Sequence, residues 1–251
     1  TTISGALAGM GNADYVEALQ VLKELRQAVE SVSVESTTGI SSYTRTANGI
    51  DAMQGDVCVK IMFHADKVVR VYKSHSAEIA KKSLTVVQPT AAAAEFALEE
   101  KDGVVTLDNT HVIVRLDLAT ACVTVLRKDG TVLTEEAGSS FAPYMDGPNE
   151  SHQIQQSFRL ATDEYIFGMG QVQNGALNQR GKVMNMVQDN MKVYIPYFQS
   201  TKNYGLFWDN YSPTMFSYSE EQTRFMSTGN DIDYYVLVGE ESDDVLPLMR
   251  Q

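Results

Sequence analysis

The chain has 251 residues, 43% hydrophobic and 21% charged, with a formal net charge of −12. That length holds one large domain or two small ones, with a sizeable core. The acidic balance, with no basic patch, repels a phosphate backbone and sets nucleic acid aside as a partner. No apolar run is long enough to span a bilayer.

The first thirteen residues are small and weakly apolar and end in Gly11-Asn12-Ala13. They look like the tail of a secretion signal without its charged start or full apolar centre, which gives a weak lean to a periplasmic or secreted bacterial protein. From Asn12 to Val32 apolar side chains recur at Tyr15, Leu19, Leu22, Leu25, Val29 and Val32. This spacing lines one face of a helix, capped by Asn12 or Asp14. Ser31 to Asn48 is rich in Ser and Thr and reads as a linker or an irregular edge segment. The domain division that follows is 1–48, N-terminal helix and linker, then 49–251, the main domain.

After Gly55 the pattern turns short and alternating. Val57–Phe63 and Lys67–Lys73 read as paired strands joined at Ala65-Asp66. Glu95–Glu99, Val104–Leu107, His111–Leu118 and Cys122–Arg127 continue the series, with Asp102-Gly103 and Asp129-Gly130 as hairpin turns. Further strands are expected at Gln153–Leu160, Tyr165–Phe167, Lys182–Val187, Tyr204–Trp208, Thr214–Tyr218, Thr223–Met226 and Ile232–Val238. Many short strands with intervening turns indicate a mainly β fold, a β-sandwich. Ser242 is expected to cap a helix whose first turn is acidic and in which Pro247 lies early. A helix starting so near residue 251 suggests that the natural protein continues.

Sequence alone places little chemistry. Gly168-Met-Gly170 follows a strand without the βαβ context of a nucleotide site, so a glycine turn or a close backbone approach is the better reading. Gln171, Gln173, Asn174, Asn178, Gln188 and Asn190 put many amides on loops. Such amides suit sugar hydroxyls, and equally they satisfy loop backbone. His64, His75, His111 and His152 are scattered, with no metal-binding spacing. No cofactor or metal is implied. Ser and Cys lack a nucleophile elbow, and no local carboxylate pair is specified as acid and base. Cys58 and Cys122 lie in apolar alternating segments, where a buried free thiol is the default; a disulfide stays open. Trp208, the one tryptophan, sits in an alternating strand, which favours core packing over sugar stacking.

The ordered series Tyr165-Ile-Phe-Gly-Met-Gly-Gln171, Leu177-Asn-Gln-Arg-Gly181, Gln188-Asp-Asn190, Ile195-Pro-Tyr-Phe-Gln-Ser200 and Tyr204-Gly-Leu-Phe-Trp-Asp-Asn210 resembles the N-terminal domain of family 31 glycoside hydrolases, above all the bacterial α-xylosidase and α-glucosidase types. Asp231-Ile-Asp-Tyr-Tyr-Val-Leu-Val-Gly239 matches the family's exit from this domain. The likeness is good from about Phe158 to Gln251, weaker from Gly49 to Arg159, and does not cover the N-terminal helix. It implies a galactose-mutarotase-like β-sandwich, or supersandwich, that precedes a (β/α)8 barrel. The family's catalytic aspartates lie on that barrel, so the resemblance gives this chain no catalytic residue. It places the family's sugar-contacting loop aspartate on Asp189, with Asn190 beside it. Gln171 stands where the family commonly has a glutamate.

The expected function is therefore the non-catalytic N-terminal sandwich of a retaining α-glycosidase. It supports the barrel, its main partner, and walls the pocket for a carbohydrate, an α-glycoside. A free-standing carbohydrate-binding module is the alternative. A mutarotase-like epimerase is a third reading, and it needs a His and a carboxylate in one cleft.

Overall fold

The computed structural model describes residues 38–79, 82–88, 90–188, 190–219 and 222–250. The helix expected over Asn12–Val32 and the leader-like first residues lie outside these.

Two antiparallel sheets stack face to face. Sheet A has eight strands. Its order is β1 (Ile40–Arg45), β2 (Gly49–Gln54), β3 (Val57–Ala65), β4 (Val68–Ser74), β17 (Asp231–Val238), β14 (Tyr204–Trp208), β13 (Val193–Ser200) and β11 (Ile166–Gln171). Sheet B has nine. It runs β12 (Met184–Met186), β15 (Thr214–Ser219), β16 (Gln222–Gly229), β10 (Asn149–Arg159), β9 (Val132–Asp146), β8 (Val123–Arg127), β7 (Val112–Asp117), β6 (Val104–Asp108) and β5 (Ala97–Lys101). The sandwich expected from the alternating segments is present. Within residues expected as linker or irregular edge, Ile40–Arg45 pairs with β2 as the edge strand, so the sheet begins before Gly49.

Period-2 alternation explains the layering. In β7, Val112, Val114 and Leu116 point inward; in β14, Tyr204, Leu206 and Trp208 do so; in β17, Ile232, Tyr234, Val236 and Val238. These side chains and their counterparts form the core between the sheets. Trp208 is 0% exposed. Its ring stacks on Phe225 at 5.4 Å, and its Nε1 donates to Ser227 Oγ at 3.2 Å. It is a core residue, as its strand position predicts.

The core also holds charge. Lys73 and Glu136 are each 1% exposed and lie 2.7 Å apart, bridging β4 of one sheet to β9 of the other. Tyr234 OH donates to the same carboxylate at 2.7 Å and the Val123 N–H at 2.8 Å. Lys73 Nζ also reaches Gln156 Oε1 at 3.2 Å and Ser139 Oγ at 3.3 Å. A buried ion pair persists only when its remaining donors and acceptors are matched in this way.

The glycines of the Gly-Met-Gly segment are part of strand β11 rather than a turn. Gly168, Met169 and Gly170 all have positive φ, at 121°, 66° and 91°. The register against β13 slips between Gly168 and Gly170. A Cβ on Gly170 would sit 2.1 Å from the Val193 carbonyl oxygen, and one on Gly168 2.7 Å from that of Tyr197. Positive φ and close backbone approach, the two reasons the sequence reading gave for glycine here, both hold, in a bulged strand rather than a turn.

The C-terminal helix α1 is short, Ser242–Leu248. Its cap is Glu241 and not Ser242: the Asp244 carboxylate turns back to accept the Glu240 and Glu241 N–H groups at 3.1 and 2.9 Å. Ser242 is used elsewhere, its carbonyl and hydroxyl each accepting from Gln199 Nε2 at 2.7 Å. Pro247 falls in the last turn rather than early in the helix.

Candidate functional site

The loop singled out by sequence joins β12 to β13. Asp189 lies outside the described residues. Asn190 is exposed at a turn. The base of the loop is fixed by Gln188, whose side chain imitates a strand neighbour. Its Nε2 donates to the Tyr194 carbonyl at 2.8 Å, and its Oε1 accepts the Tyr194 N–H at 2.9 Å. Both ends of the amide are engaged, so Gln188 holds the loop rather than offering hydrogen bonds to a ligand.

The other loop amides divide in the same way. Asn178 Oδ1 accepts from the N–H groups of Ile166 and Arg180 at 3.2 and 3.0 Å. Asn174 Nδ2 donates to Gln179 Oε1 at 2.7 Å, and Gln179 Nε2 donates to the Ala176 carbonyl at 2.8 Å. Gln171, Gln173 and Asn190 remain exposed. Half of the six amides, Asn174, Asn178 and Gln188, are therefore spent within the loops on backbone or on another loop amide.

Beside the loop lies a cleft of about 330 Å³ between Gln188, Tyr194, Asn210 and Tyr211. Tyr211 is 47% exposed. Its hydroxyl donates to Ser83 Oγ at 3.2 Å and accepts the Leu84 N–H. The ring is thus tethered at its polar end and half-exposed beside the cleft. The only mark of Tyr211 along the chain is its place just after strand β14, beside Asn210.

The histidines are less scattered than the sequence implies. His75 and His152 face each other at 4.9 Å, with Phe141 edge-on to His75 at 5.1 Å. His75 Nδ1 is 3.2 Å from Asp56, and His152 Nδ1 is 3.2 Å from Asn230. His64 lies elsewhere, edge-on to Tyr235 at 5.2 Å, where burial lowers its basicity. Among the described residues no group of three or more His, Cys, Asp or Glu side chains converges on a metal position. Both cysteines are free, and burial raises both thiols.

The two stacked antiparallel sheets have the architecture of a galactose-mutarotase-like domain. Residues 58–216 match the model of the glycosyl hydrolase 31 N-terminal galactose mutarotase-like domain, and the chain belongs to that family. It is 27% identical over 209 residues to an α-xylosidase of Saccharolobus solfataricus, across 78% of this chain and 28% of that protein. It is 30% identical over 108 residues to α-xylosidase A of Aspergillus niger, across 43% of this chain and 15% of that protein. Among solved structures, a family 31 dextranase of Flavobacterium johnsoniae complexed with glucose superposes with a TM-score of 0.72 at 19% identity, covering 85% of this chain and 28% of that one. The chain thus spans little more than a quarter of the curated α-xylosidase matched over most of its length.

Proposed function

We propose that this chain is the N-terminal β-sandwich of a retaining α-glycosidase of the α-xylosidase type. It supports a (β/α)8 barrel and closes one side of the sugar pocket. The observation that carries the reading is the family match over residues 58–216, joined to relatives named α-xylosidases of which this chain spans only a part. The wall is the loop clamped by Gln188, with Asp189 and Asn190 meeting the sugar. A carboxylate and an amide suit the task, since together they accept and donate to neighbouring hydroxyls. The chemistry itself belongs to the barrel, where two carboxyl groups flank the scissile bond.

The test has two arms. The pure 251-residue chain, given a nitrophenyl α-xyloside, is expected to release no nitrophenol; measurable turnover refutes the non-catalytic role. In the full-length enzyme, Asn190→Ala and Asp189→Asn are expected to raise KM about tenfold or more, the loss of one or two hydrogen bonds to the ligand. Unchanged KM in both removes the loop from the pocket. The half-exposed Tyr211 beside the cleft favours a second reading, a free-standing carbohydrate-binding module. Titration of the 251-residue chain with xylose and with an α-xyloside decides it: saturable heat supports the module, and none supports the supporting domain.

A further inference from the structure

The inward row of a sandwich strand stays apolar or has its polar groups matched. In β4 that row runs Val69, Val71 and Lys73, and the next position in it is His75. In β10 it runs Phe158, Gln156 and Ile154 and ends on His152. Two histidines, one from each sheet, thus stand at the rim of the space between the sheets. Their rings lie 4.9 Å apart and are tilted by 32°. Phe141 of β9 is edge-on to both, at 5.1 and 6.0 Å.

The strand register explains the meeting and its neighbours. Ser74 pairs with Cys58 on one side and Asp231 on the other, so the next residue, His75, falls between Asp56 and Asn230. His152 pairs with Gly229, which brings Asn230 to its flank. Each ring is held by one nitrogen. His75 Nδ1 is 3.2 Å from the Asp56 carboxylate, and His152 Nδ1 is 3.2 Å from Asn230 Oδ1. An acceptor at Nδ1 fixes the proton there and leaves Nε2 with its lone pair. Among the described residues neither Nε2 has a hydrogen-bond partner.

We infer that His75 and His152 form a two-imidazole site for a borderline divalent metal ion, Zn²⁺, Ni²⁺ or Cu²⁺, that clips sheet A to sheet B. Imidazole nitrogen suits these ions, and an oxygen acceptor behind each ligating ring is its usual orienting partner. The spacing fits as well. A metal–nitrogen bond of about 2.1 Å puts each ring centroid ~3.2 Å from the ion, so two neighbouring ligands have centroids about 4.5–5.2 Å apart. The observed 4.9 Å lies within that range. Water completes the coordination shell. The His75 side chain is 35% exposed, which gives the ion a way in. The site is independent of the sugar pocket proposed above.

The experiment titrates the untagged 251-residue chain by calorimetry with Zn²⁺, Ni²⁺ and Cu²⁺, each metal alone. Saturable binding is expected, with none for Mg²⁺ or Ca²⁺, which favour oxygen ligands. His75→Asn and His152→Asn are each expected to weaken it by roughly a hundredfold, and Asn230→Ala, which only orients His152, by about tenfold. Zinc at about a hundredfold excess over Kd is expected to raise the melting temperature of the parent chain by roughly 5 °C or more, and of neither histidine variant. Trace Cu²⁺ is expected to broaden the ring resonances of His75 and His152 before those of His64 and His111. That readout needs no variant, so it decides the matter even where a substitution unfolds the chain. Binding weaker than about 1 mM for every metal tried, binding that both histidine variants retain, or broadening shared evenly by the four histidines overturns the inference. Each of these leaves the function proposed above standing.

Discussion

Replacing Lys73 by Met tests how the two sheets are held together. Met has nearly the same length, so the change removes charge and hydrogen bonds with little loss of volume. Glu136, itself 1% exposed, keeps two donors, Tyr234 OH at 2.7 Å and Val123 N–H at 2.8 Å, but loses its counter-ion. Breaking a buried pair from one side costs about 3–5 kcal/mol. The two remaining donors stabilise the carboxylate and place the cost near the lower end, about 3 kcal/mol. The double variant Lys73→Met, Glu136→Leu carries no buried charge. It leaves the Tyr234 hydroxyl and the Val123 N–H short of a partner, at about 1–3 kcal/mol each. Its total is therefore expected to fall at least ~2 kcal/mol below the sum of the two single changes. Urea unfolding followed by the fluorescence of the single, fully buried Trp208 reads this directly. A loss under about 1 kcal/mol for Lys73→Met, or strict additivity in the double variant, would refute the reasoning.

Gly170→Ala is expected to cost about 3 kcal/mol or more, since it adds strain at φ 91° to a Cβ placed 2.1 Å from a carbonyl oxygen; thermal melting of the variant checks it, and a near-neutral effect would show that the β11–β13 bulge relaxes easily. Alkaline stability follows from the tyrosines. Burial pushes Tyr72 and Tyr197 up to about 12 and holds Tyr204 and Tyr234 well above the usual phenol range. The raised groups give stability that is fully present below pH 10, the unfolded value, and is lost as pH rises through 12 and beyond. Urea midpoints are thus expected to fall gently as pH rises past about 9, where the thiols of Cys58 and Cys122 ionise in the unfolded chain, and more steeply above about 10, with the phenolate absorbance of the buried tyrosines appearing late; a flat midpoint to pH 12 would contradict the burial.

Several of the strands that sequence disclosed have one clean apolar face. In β6, β7 and β8 each inward position is Val or Leu, so the period is plain. β9 escaped because its inward position Glu136 is charged and its middle, Gly138-Ser139-Ser140, has no apolar face; only the partner Lys73, far away in sequence, makes sense of it. β13 hides its strand character because Pro196 interrupts it. The proline sits opposite the register slip at Gly168–Gly170, where the ladder is already broken. The site was legible only in part. A family pattern pointed to the loop at 188–190, but nothing local revealed that Gln188 is spent on Tyr194, or that a loop tyrosine lies across the cleft. His75, just past the end of β4, meets His152 of β10 in the other sheet, a pairing with no signature along the chain.

The strand order also has a consequence for how the chain is made. β4 pairs on one side with β3, its neighbour in sequence, but on the other with β17, and the Arg70–Asp233 link spans 163 residues. Until β17 leaves the ribosome, β4 presents an open edge of Val68 to Ser74 with an unpaired arginine beside it. The domain cannot close from its N-terminal half outward, so nascent chains must wait, exposed, for nearly the whole sandwich. Truncation within β17 is therefore expected to lower the yield of folded protein, since non-local pairings of this kind form late and leave open edges until they do.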